Sequence, residues 1–213
     1  MNNLKYRLQK SKIYWVYDKD LADKYDPKAE LFQKHLVSGY IDLLQFRAKN
    51  IDMESYMKWV DSLKSKIDLS SVLTFTNDHV ECISELGLDG VHIGADDMPV
   101  QEARSLLGDN VLIGSTARTL TRALSSLEEG ADYLGVGTVF STNTKPGLIT
   151  QGPDFAKSVK DSVDIPVFAI GGIKSGNVNK LVKLGVNRVA VASSLLNQTN
   201  SKDELFSLYK QLS

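Results

Sequence analysis

The chain has 213 residues and a formal net charge of −1 at pH 7, because 25 lysine and arginine residues nearly balance 26 aspartate and glutamate residues. This balance excludes a bulk basic field of the kind that attracts nucleic acid or a membrane surface, so any anion site must be local. No apolar run approaches about 18 residues, the length of a membrane span, and residues 1–12 lack the apolar segment of a signal peptide. We therefore expect a cytoplasmic protein. Its one cysteine, Cys82, is expected to be a buried, inert thiol.

Strand-like apolar runs alternate with helix-like segments along the chain. The predicted strands are Ile13–Tyr17, Ile41–Phe46, Val72–Phe75, Gly90–Ile93, Val111–Gly114, Tyr133–Val136, Val167–Ile170 and Arg188–Ala192. Helices are predicted near residues 27–37, 53–66, 79–86, 99–107, 119–129, 153–162, 176–184 and 202–212. Eight such units in 213 residues correspond to roughly 27 residues each (213/8), the size of a βα repeat with short connections.

This alternation predicts an α/β fold with a parallel sheet, and the nearly continuous apolar strands indicate that both faces are covered. Eight units favour a closed (β/α)₈ TIM barrel, with an open doubly wound sheet as the alternative. Gly87, Gly130 and Gly185 each follow a helical pattern and precede a strand, as glycines that end helices do. No linker divides the chain, so we predict one catalytic domain over residues 1–213.

Polar side chains directly follow three successive predicted strands. They are Gln45, Arg47 and Lys49 on the second, Asn77 and Asp78 after the third, and Asp96 and Asp97 after the fourth. The carboxyl ends of barrel strands face the active site, and neighbouring strands lie about 4.8 Å apart, so these groups can meet. Carboxylates beside two cations are typical of a site for Mg²⁺ and a polyanion. The alternatives are a solvated strand edge and, for Asp78, a helix N-cap.

The second strand supports the first interpretation. By the period of two, Ile41, Leu43, Gln45, Arg47 and Lys49 share one face, which changes from apolar to polar toward its carboxyl end. This change is typical of a strand face that lies in the packed core at its amino end and in a solvent-filled cavity at its carboxyl end. His92 lies inside the fourth strand, where a hydrogen-bonded core histidine is favoured over a catalytic one.

A second anion site is predicted after the seventh and eighth strands, the recurrent phosphate site of TIM barrels. Gly171 and Gly172 let backbone amides approach an anion, and a helix beginning near Ser193 would add its dipole. Between the two sites runs a long loop after the sixth strand, which offers Thr142, Thr144 and Lys145 to phosphate oxygens. The length of this loop is typical of a lid. The residues thus indicate two phosphorylated substrates, one of them a diphosphate.

Six motifs, in chain order, resemble those of the thiamine-phosphate synthase family. They are Gln45-x-Arg47-x-Lys49, Asn77-Asp78, Gly90-Val91-His92-Ile93-Gly94-x-x-Asp97, Asp132-Tyr133-Leu134-Gly135-Val136-Gly137, Thr142-x-Thr144-Lys145 and Ala169-Ile170-Gly171-Gly172-Ile173. Each motif alone is weak, but six in register over nearly the whole chain are specific.

The resemblance implies a (β/α)₈ barrel that joins hydroxymethylpyrimidine diphosphate to hydroxyethylthiazole phosphate, with release of pyrophosphate. It implies Mg²⁺ as cofactor, held by Asp78 and Asp97. The substrate ligands that it implies are Arg47, Lys49, Asn77 and Lys145 for the diphosphate, Gln45, Tyr14 and His92 around the pyrimidine, and Thr142, Thr144, Gly172, Ala192 and Ser193 for the thiazole phosphate. The implied mechanism is dissociative: pyrophosphate leaves first, and the thiazole nitrogen captures a pyrimidine-methyl cation. Arg47, Lys49 and Lys145 would act catalytically by stabilising the leaving polyanion.

The chain departs from the family pattern at three positions. Ala48 replaces a residue that is usually acidic, but it points away from the assigned face. After the fifth strand, Thr116 stands where the family has a serine, and Arg118 where it often has a histidine. Whether Ser115 or Thr116 contacts substrate stays open at this point.

Two other functions share this barrel. A thiazole tautomerase needs a general acid/base, which Arg118 cannot supply because a guanidinium keeps its protons. A non-catalytic barrel that binds thiamine precursors would have degenerate ligands, and this sequence has none. We expect no nucleic-acid or membrane partner, and the sequence is compatible with a homo-oligomer without fixing its size.

Overall fold

A computed structural model of the chain describes residues 3–142, 147, 149–196 and 200–213. Within these ranges, eight parallel strands close into a barrel in chain order. They are Ile13–Asp18 (β1), Leu43–Arg47 (β2), Leu73–Asn77 (β3), Gly90–Ile93 (β4), Leu112–Ala117 (β5), Tyr133–Val136 (β6), Val167–Ile170 (β7) and Val189–Val191 (β8). The predicted TIM barrel is confirmed, and the open sheet is wrong because β1 pairs with both β2 and β8.

The helices surround the barrel. They are Asn3–Lys10 (α1), Lys19–Tyr25 (α2), Glu30–Val37 (α3), Met53–Lys64 (α4), Ile83–Leu86 (α5), Val100–Leu107 (α6), Leu120–Glu128 (α7), Pro153–Ser162 (α8), Asn179–Val182 (α9) and Ser201–Leu212 (α10). None of them, in the ranges described, is both long and apolar enough to cross a membrane.

The sequence analysis missed α1 and α2, because each has only one buried residue and so shows no apolar stripe. Helix α1 still contributes to the core, since its Leu8 joins the cluster inside the barrel. A third difference concerns the helix predicted over residues 79–86, of which only Ile83–Leu86 is α-helical. Cys82, just before it, is buried as expected.

The core has two layers, and the strand alternation assigns each side chain to one of them. Inside the barrel, aromatic and aliphatic side chains such as Phe75 and Leu43 form one cluster. Outside it, Leu44 and Phe46 pack against the helices in a second cluster. The predicted inner face of the second strand is therefore confirmed from Leu43 onward. It is wrong for Ile41, which precedes β2 and packs in the outer layer.

Three aspartates, one buried and two half-buried, stabilise the amino-terminal end of the barrel. Each lies immediately before an even-numbered strand, and its carboxylate accepts a hydrogen bond from the backbone N–H at the start of the preceding strand. These pairs are Asp42 with Ile13 (2.8 Å), Asp89 with Thr74 (2.8 Å) and Asp132 with Ile113 (2.9 Å). They satisfy N–H groups at the strand entrances and hold the strand register that positions the opposite, functional end.

The strongest of these anchors is Asp132, and replacing it with alanine should lower the free energy of unfolding by about 3 kcal/mol or more. Its carboxylate is buried and accepts from Arg104 Nη2 at 2.6 Å and Lys5 Nζ at 2.9 Å as well as from Ile113. The change would leave the half-buried guanidinium without its counter-ion. Urea unfolding followed by circular dichroism measures the loss. Asp161→Ala is the control, because its exposed pairs are expected to contribute little.

Candidate active site

A cavity of about 370 Å³ opens at the carboxyl ends of the strands. Its walls contain every predicted site residue that the structure describes: Gln45, Arg47, Lys49, Asn77, Asp78, Asp97, Thr116, Thr142, Gly172, Ala192 and Ser193. Tyr14 and His92, expected around the pyrimidine, line it too. Thr144 and Lys145 lie outside the described residues. The structure thus brings residues far apart in sequence to one cavity, because parallel strands end on the same side of a barrel.

Two carboxylates meet between β3 and β4. Asp78 Oδ1 accepts from the backbone N–H of Gly94 at 3.2 Å. Gly94 also makes room for the second carboxylate, since a Cβ atom there would lie 2.1 Å from Asp97 Oδ2. Burial, together with the hydrogen bond and negative charge of Asp97, raises the pKa of Asp78 above its usual value. Two acidic groups are therefore held together at an electrostatic cost that a cation would relieve.

The donor set at this pair fits Mg²⁺. Carboxylate oxygens are the hard ligands that the ion prefers, and one or two of them suffice when phosphate and water complete the octahedron. No group of three or more His, Cys, Asp or Glu side chains that could hold a metal occurs in the described ranges, so a fully protein-built cage is not present there. Asp78 adopts a left-handed backbone (φ +65°) and begins no helix, so the N-cap alternative is wrong.

Cations border the carboxylate pair on the β2 side. Lys49 Nζ lies 3.8 Å from Asp78 Oδ2, and nearly half of its side chain is exposed to the cavity and solvent. Arg47 Nη1 pairs with the buried Asp18 at the end of β1. Arg47 Nε is buried and has no hydrogen-bond acceptor among the described residues. This side of the cavity therefore offers a half-exposed ammonium and a guanidinium held by Asp18 to a polyanion.

The opposite wall is built from backbone. Gly171 and Gly172 directly follow β7 and have positive φ angles of +107° and +62°. The loop after β6 runs so close that a Cβ atom on Gly172 would lie 2.3 Å from the carbonyl oxygen of Ser141. The helix expected near Ser193 is a single 3₁₀ turn, Ser193–Leu195, so its dipole is much smaller than that of the predicted helix.

Gly172→Ala should raise the KM for the phosphate-bearing acceptor by about tenfold, because the added methyl and the left-handed backbone displace the wall by which we expect the phosphate to be held. Gly176→Ala, in the same connection, is the matched control. A Cβ atom there would meet nothing within 4 Å. Steady-state kinetics with each substrate varied in turn measure the difference. An unchanged KM in Gly172→Ala would remove this wall from the site.

The floor of the cavity is polar. His92 is half-buried, with Nε2 2.9 Å from Thr116 Oγ1 and Nδ1 3.1 Å from Tyr133 Oη. It is hydrogen-bonded as predicted, yet it also lines the cavity. The structure separates the two candidates after the fifth strand: Thr116 faces the cavity, whereas Ser115 is fully buried and bonds Ser126 on α7 at 3.0 Å.

Sequence reasoning missed two residues at this site. Asp18 ends β1 and pairs with Arg47, and it carries the same signal of a polar residue directly after an apolar run. Tyr133 begins β6 and reaches under the floor, but nothing in an apolar strand separates it from a core aromatic. Asp96, which the sequence analysis did not assign to the metal, lies at the rim with its exposed carboxylate 3.4 Å from Arg118 Nη1.

A profile of the family described as "Thiamine monophosphate synthase" matches residues 13–195. Among curated relatives, a thiamine-phosphate synthase from Fusobacterium nucleatum is 34% identical over 206 residues, covering 95% of this chain and 98% of that protein. One from Clostridium tetani is 33% identical over 190 residues, covering 89% and 90%. A solved structure titled thiamine phosphate pyrophosphorylase from Pyrococcus furiosus superposes with a TM-score of 0.83 at 29% identity, covering 99% of this chain and 98% of that one.

A more distant neighbour, 3-hexulose-6-phosphate synthase from Salmonella typhimurium, has a TM-score of 0.71 at 17% identity and shares the fold alone. The family match is different in kind, because it extends over 183 residues (13 to 195) and includes the cavity residues. The chain belongs to the thiamine monophosphate synthase family.

Proposed function

We propose that this protein joins hydroxymethylpyrimidine diphosphate to hydroxyethylthiazole phosphate, giving thiamine monophosphate and pyrophosphate with Mg²⁺ as cofactor. One observation carries the proposal: the cavity has two walls of different chemistry, each suited to an anion. Asp78 and Asp97 with Arg47 and Lys49 form one, and backbone around Gly172 forms the other. A single monophosphate substrate would leave one wall unused.

On the first wall, Asp78 and Asp97 would hold the Mg²⁺, and phosphate oxygens of the diphosphate would complete its shell. When bound, the ion supplies positive charge that stabilises the departing pyrophosphate. Arg47 lines the cavity and would offer the guanidinium donors that Asp18 does not occupy to the same group. Lys49, poised beside Asp78, adds an ammonium, and Asn77 supplies a neutral amide at the cavity edge. By resemblance, Lys145 completes this set from the loop after β6.

The reaction needs one bond broken and one formed. The C–O bond between the pyrimidine methylene and the diphosphate breaks, and its electron pair leaves with pyrophosphate. The thiazole nitrogen then donates its lone pair to the methylene carbon, forming the C–N bond. No side-chain nucleophile is required, so catalysis by Arg47, Lys49 and Lys145 would be electrostatic stabilisation of the leaving group.

The second wall would position the acceptor. Gly172, Ala192, Ser193 and Thr142 line the cavity and, with Thr144, would hold the thiazole phosphate. The cavity floor near Gln45, Tyr14, His92 and Thr116 is left for the pyrimidine. This division would place the methylene carbon within reach of the thiazole nitrogen, which captures it once pyrophosphate has left.

Omitting one substrate at a time tests the proposal against its nearest rival. A tautomerase would convert a non-aromatic tautomer of the thiazole phosphate without the pyrimidine and would release no pyrophosphate, whereas the proposed synthase forms product only when both substrates are present. Arg118 at the cavity rim, in place of a histidine, supports the synthase. Proton NMR of each mixture follows both outcomes. Conversion of the thiazole substrate in the absence of the pyrimidine would contradict the proposal.

The remaining expectations stay predictions. The partners would be these two small phosphorylated substrates, with no nucleic acid or membrane, and the compartment the cytoplasm. A homo-oligomer is compatible with the chain, and its mass in solution would settle the point. The assignment of residues 1–213 to one catalytic domain would be tested by limited proteolysis.

A further inference from the structure

Five side chains from five strands form one continuous hydrogen-bond chain beneath the cavity. Gln45 Nε2 donates to Tyr14 Oη at 2.7 Å, and Tyr14 Oη lies 2.9 Å from Tyr133 Oη. Tyr133 Oη lies 3.1 Å from His92 Nδ1, and His92 Nε2 lies 2.9 Å from Thr116 Oγ1. Both ends, Gln45 and Thr116, line the cavity, as do Tyr14 and His92, whereas Tyr133 is fully buried.

The space for this chain is built into the strands. A Cβ atom on Gly114 would lie 2.0 Å from the ring of Tyr133, so only glycine fits opposite it on β5. A Cβ atom on Gly135 would lie 3.0 Å from the imidazole of His92. The absence of side chains at Gly114 and Gly135 thus leaves room for the rings of Tyr133 and His92 inside the barrel.

Counting donors gives the chain a direction. Burial raises the pKa of Tyr14 and Tyr133 far above the usual range, so each hydroxyl keeps one proton to donate. Gln45 donates to Tyr14, and we assign the proton of that hydroxyl to Tyr133, its other partner. Tyr133 in turn donates to His92 Nδ1, which places the imidazole proton on Nε2. His92 therefore donates to Thr116, whose hydroxyl proton is left for an acceptor in the cavity.

We propose that this directed chain orients the pyrimidine ring, with Tyr14 and Tyr133 as positioning residues that act through Gln45 and Thr116. Gln45 Oε1 is presented as an acceptor at one end, and the Thr116 hydroxyl as a donor at the other. An aminopyrimidine carries both complements, an amino group that donates and ring nitrogens that accept. The identity of this ring rests on the proposed function, whereas the direction of the hydrogen-bond chain is independent of it.

The direction is tested first, without any substrate. The protein contains three histidines, so ¹⁵N-histidine labelling gives signals from three imidazoles. A His92→Gln variant identifies those of His92. Long-range ¹H–¹⁵N spectra should show the His92 proton on Nε2 in the unmodified protein. In Tyr133→Phe, the two nitrogen shifts should move toward each other as the tautomers exchange. A proton on Nδ1 in the unmodified protein would overturn the proposal.

Kinetics then test the orienting role. Tyr133→Phe and Thr116→Val should each raise the KM for the pyrimidine diphosphate by about tenfold and leave that for the thiazole phosphate within about twofold. Thr116→Ser should restore it. Tyr56→Phe is the matched control, since its buried hydroxyl bonds Phe46 O and Thr76 Oγ1 outside the barrel interior. It should lose stability without a selective KM change.

The outcomes separate the two proposals. If the unmodified enzyme forms no thiamine monophosphate, the proposed function fails, while the spectra still report the direction of the chain. If product forms but Tyr133→Phe changes neither KM, or changes both equally, the orienting role is wrong and the proposed function stands.

Discussion

Replacing Asp78 with alanine is expected to lower turnover at saturating substrate by about 100- to 1,000-fold while the protein stays folded. The change removes one of the two carboxylates that would hold Mg²⁺ beside the diphosphate. Relief of the repulsion between Asp78 and Asp97 should offset much of the lost hydrogen bond to Gly94, so the variant is expected to unfold within about 5 °C of the unmodified chain in metal-free buffer. Initial rates over a Mg²⁺ titration, with thermal unfolding in the presence of a chelator, measure both effects.

Asp96→Ala is the matched control for Asp78→Ala. It also removes a carboxylate at the cavity, but this one is exposed at the rim and pairs with Arg118. Its turnover and Mg²⁺ dependence should stay within about threefold of the unmodified protein. Near-normal turnover in Asp78→Ala, or equal losses in the two variants, would contradict the metal assignment.

Lys145→Ala is expected to lower turnover by a similar factor, about 100-fold or more, with unchanged stability. This expectation rests on the sequence: Thr142-x-Thr144-Lys145 matches the family motif in the long loop after β6. An ammonium that contacts the diphosphate as it leaves would stabilise the transition state more than the bound substrate, so its loss should appear mainly in kcat. Single-turnover rates measured with both substrates bound isolate this effect.

Lys145→Arg and Lys183→Ala are the controls for Lys145→Ala. Lys145→Arg retains the positive charge and should recover part of the lost rate, although a planar guanidinium does not reproduce a point charge. Lys183→Ala removes a cation at the end of α9 and should leave the rate unchanged. A kcat within a factor of about three in Lys145→Ala would remove Lys145 from the catalytic set.

The features that could be predicted from the sequence are those that recur in each βα repeat. Eight apolar strands at regular spacing predicted the barrel, and polar residues at their carboxyl ends predicted most of the cavity. Residues such as Arg47 and Asp78 could be found because a parallel barrel converts position along a strand into position in space. Knowledge of neighbouring side chains was not needed for this step.

The rest depends on contacts that a linear pattern does not contain. In the sequence, Tyr133 cannot be distinguished from a core aromatic residue. Only the structure shows that its hydroxyl lies between the hydroxyl of Tyr14 and the imidazole of His92. Gly114 looks like a weak strand residue until the ring that fills its missing side chain is seen. Helix α1 was missed because only Leu8 of its eight residues is buried, and with the partly buried Leu4 it gives too short an apolar pattern to predict a helix.

The central claim is a two-substrate condensation with pyrophosphate as leaving group, and product stoichiometry tests it most directly. The purified protein is incubated with hydroxymethylpyrimidine diphosphate, hydroxyethylthiazole phosphate and Mg²⁺, and thiamine monophosphate and pyrophosphate are measured in parallel. We predict equal amounts of the two products, formation of both abolished by a chelator and restored by excess Mg²⁺. Pyrophosphate or thiamine monophosphate formed alone, equal rates without the metal, or no product with it would contradict the account.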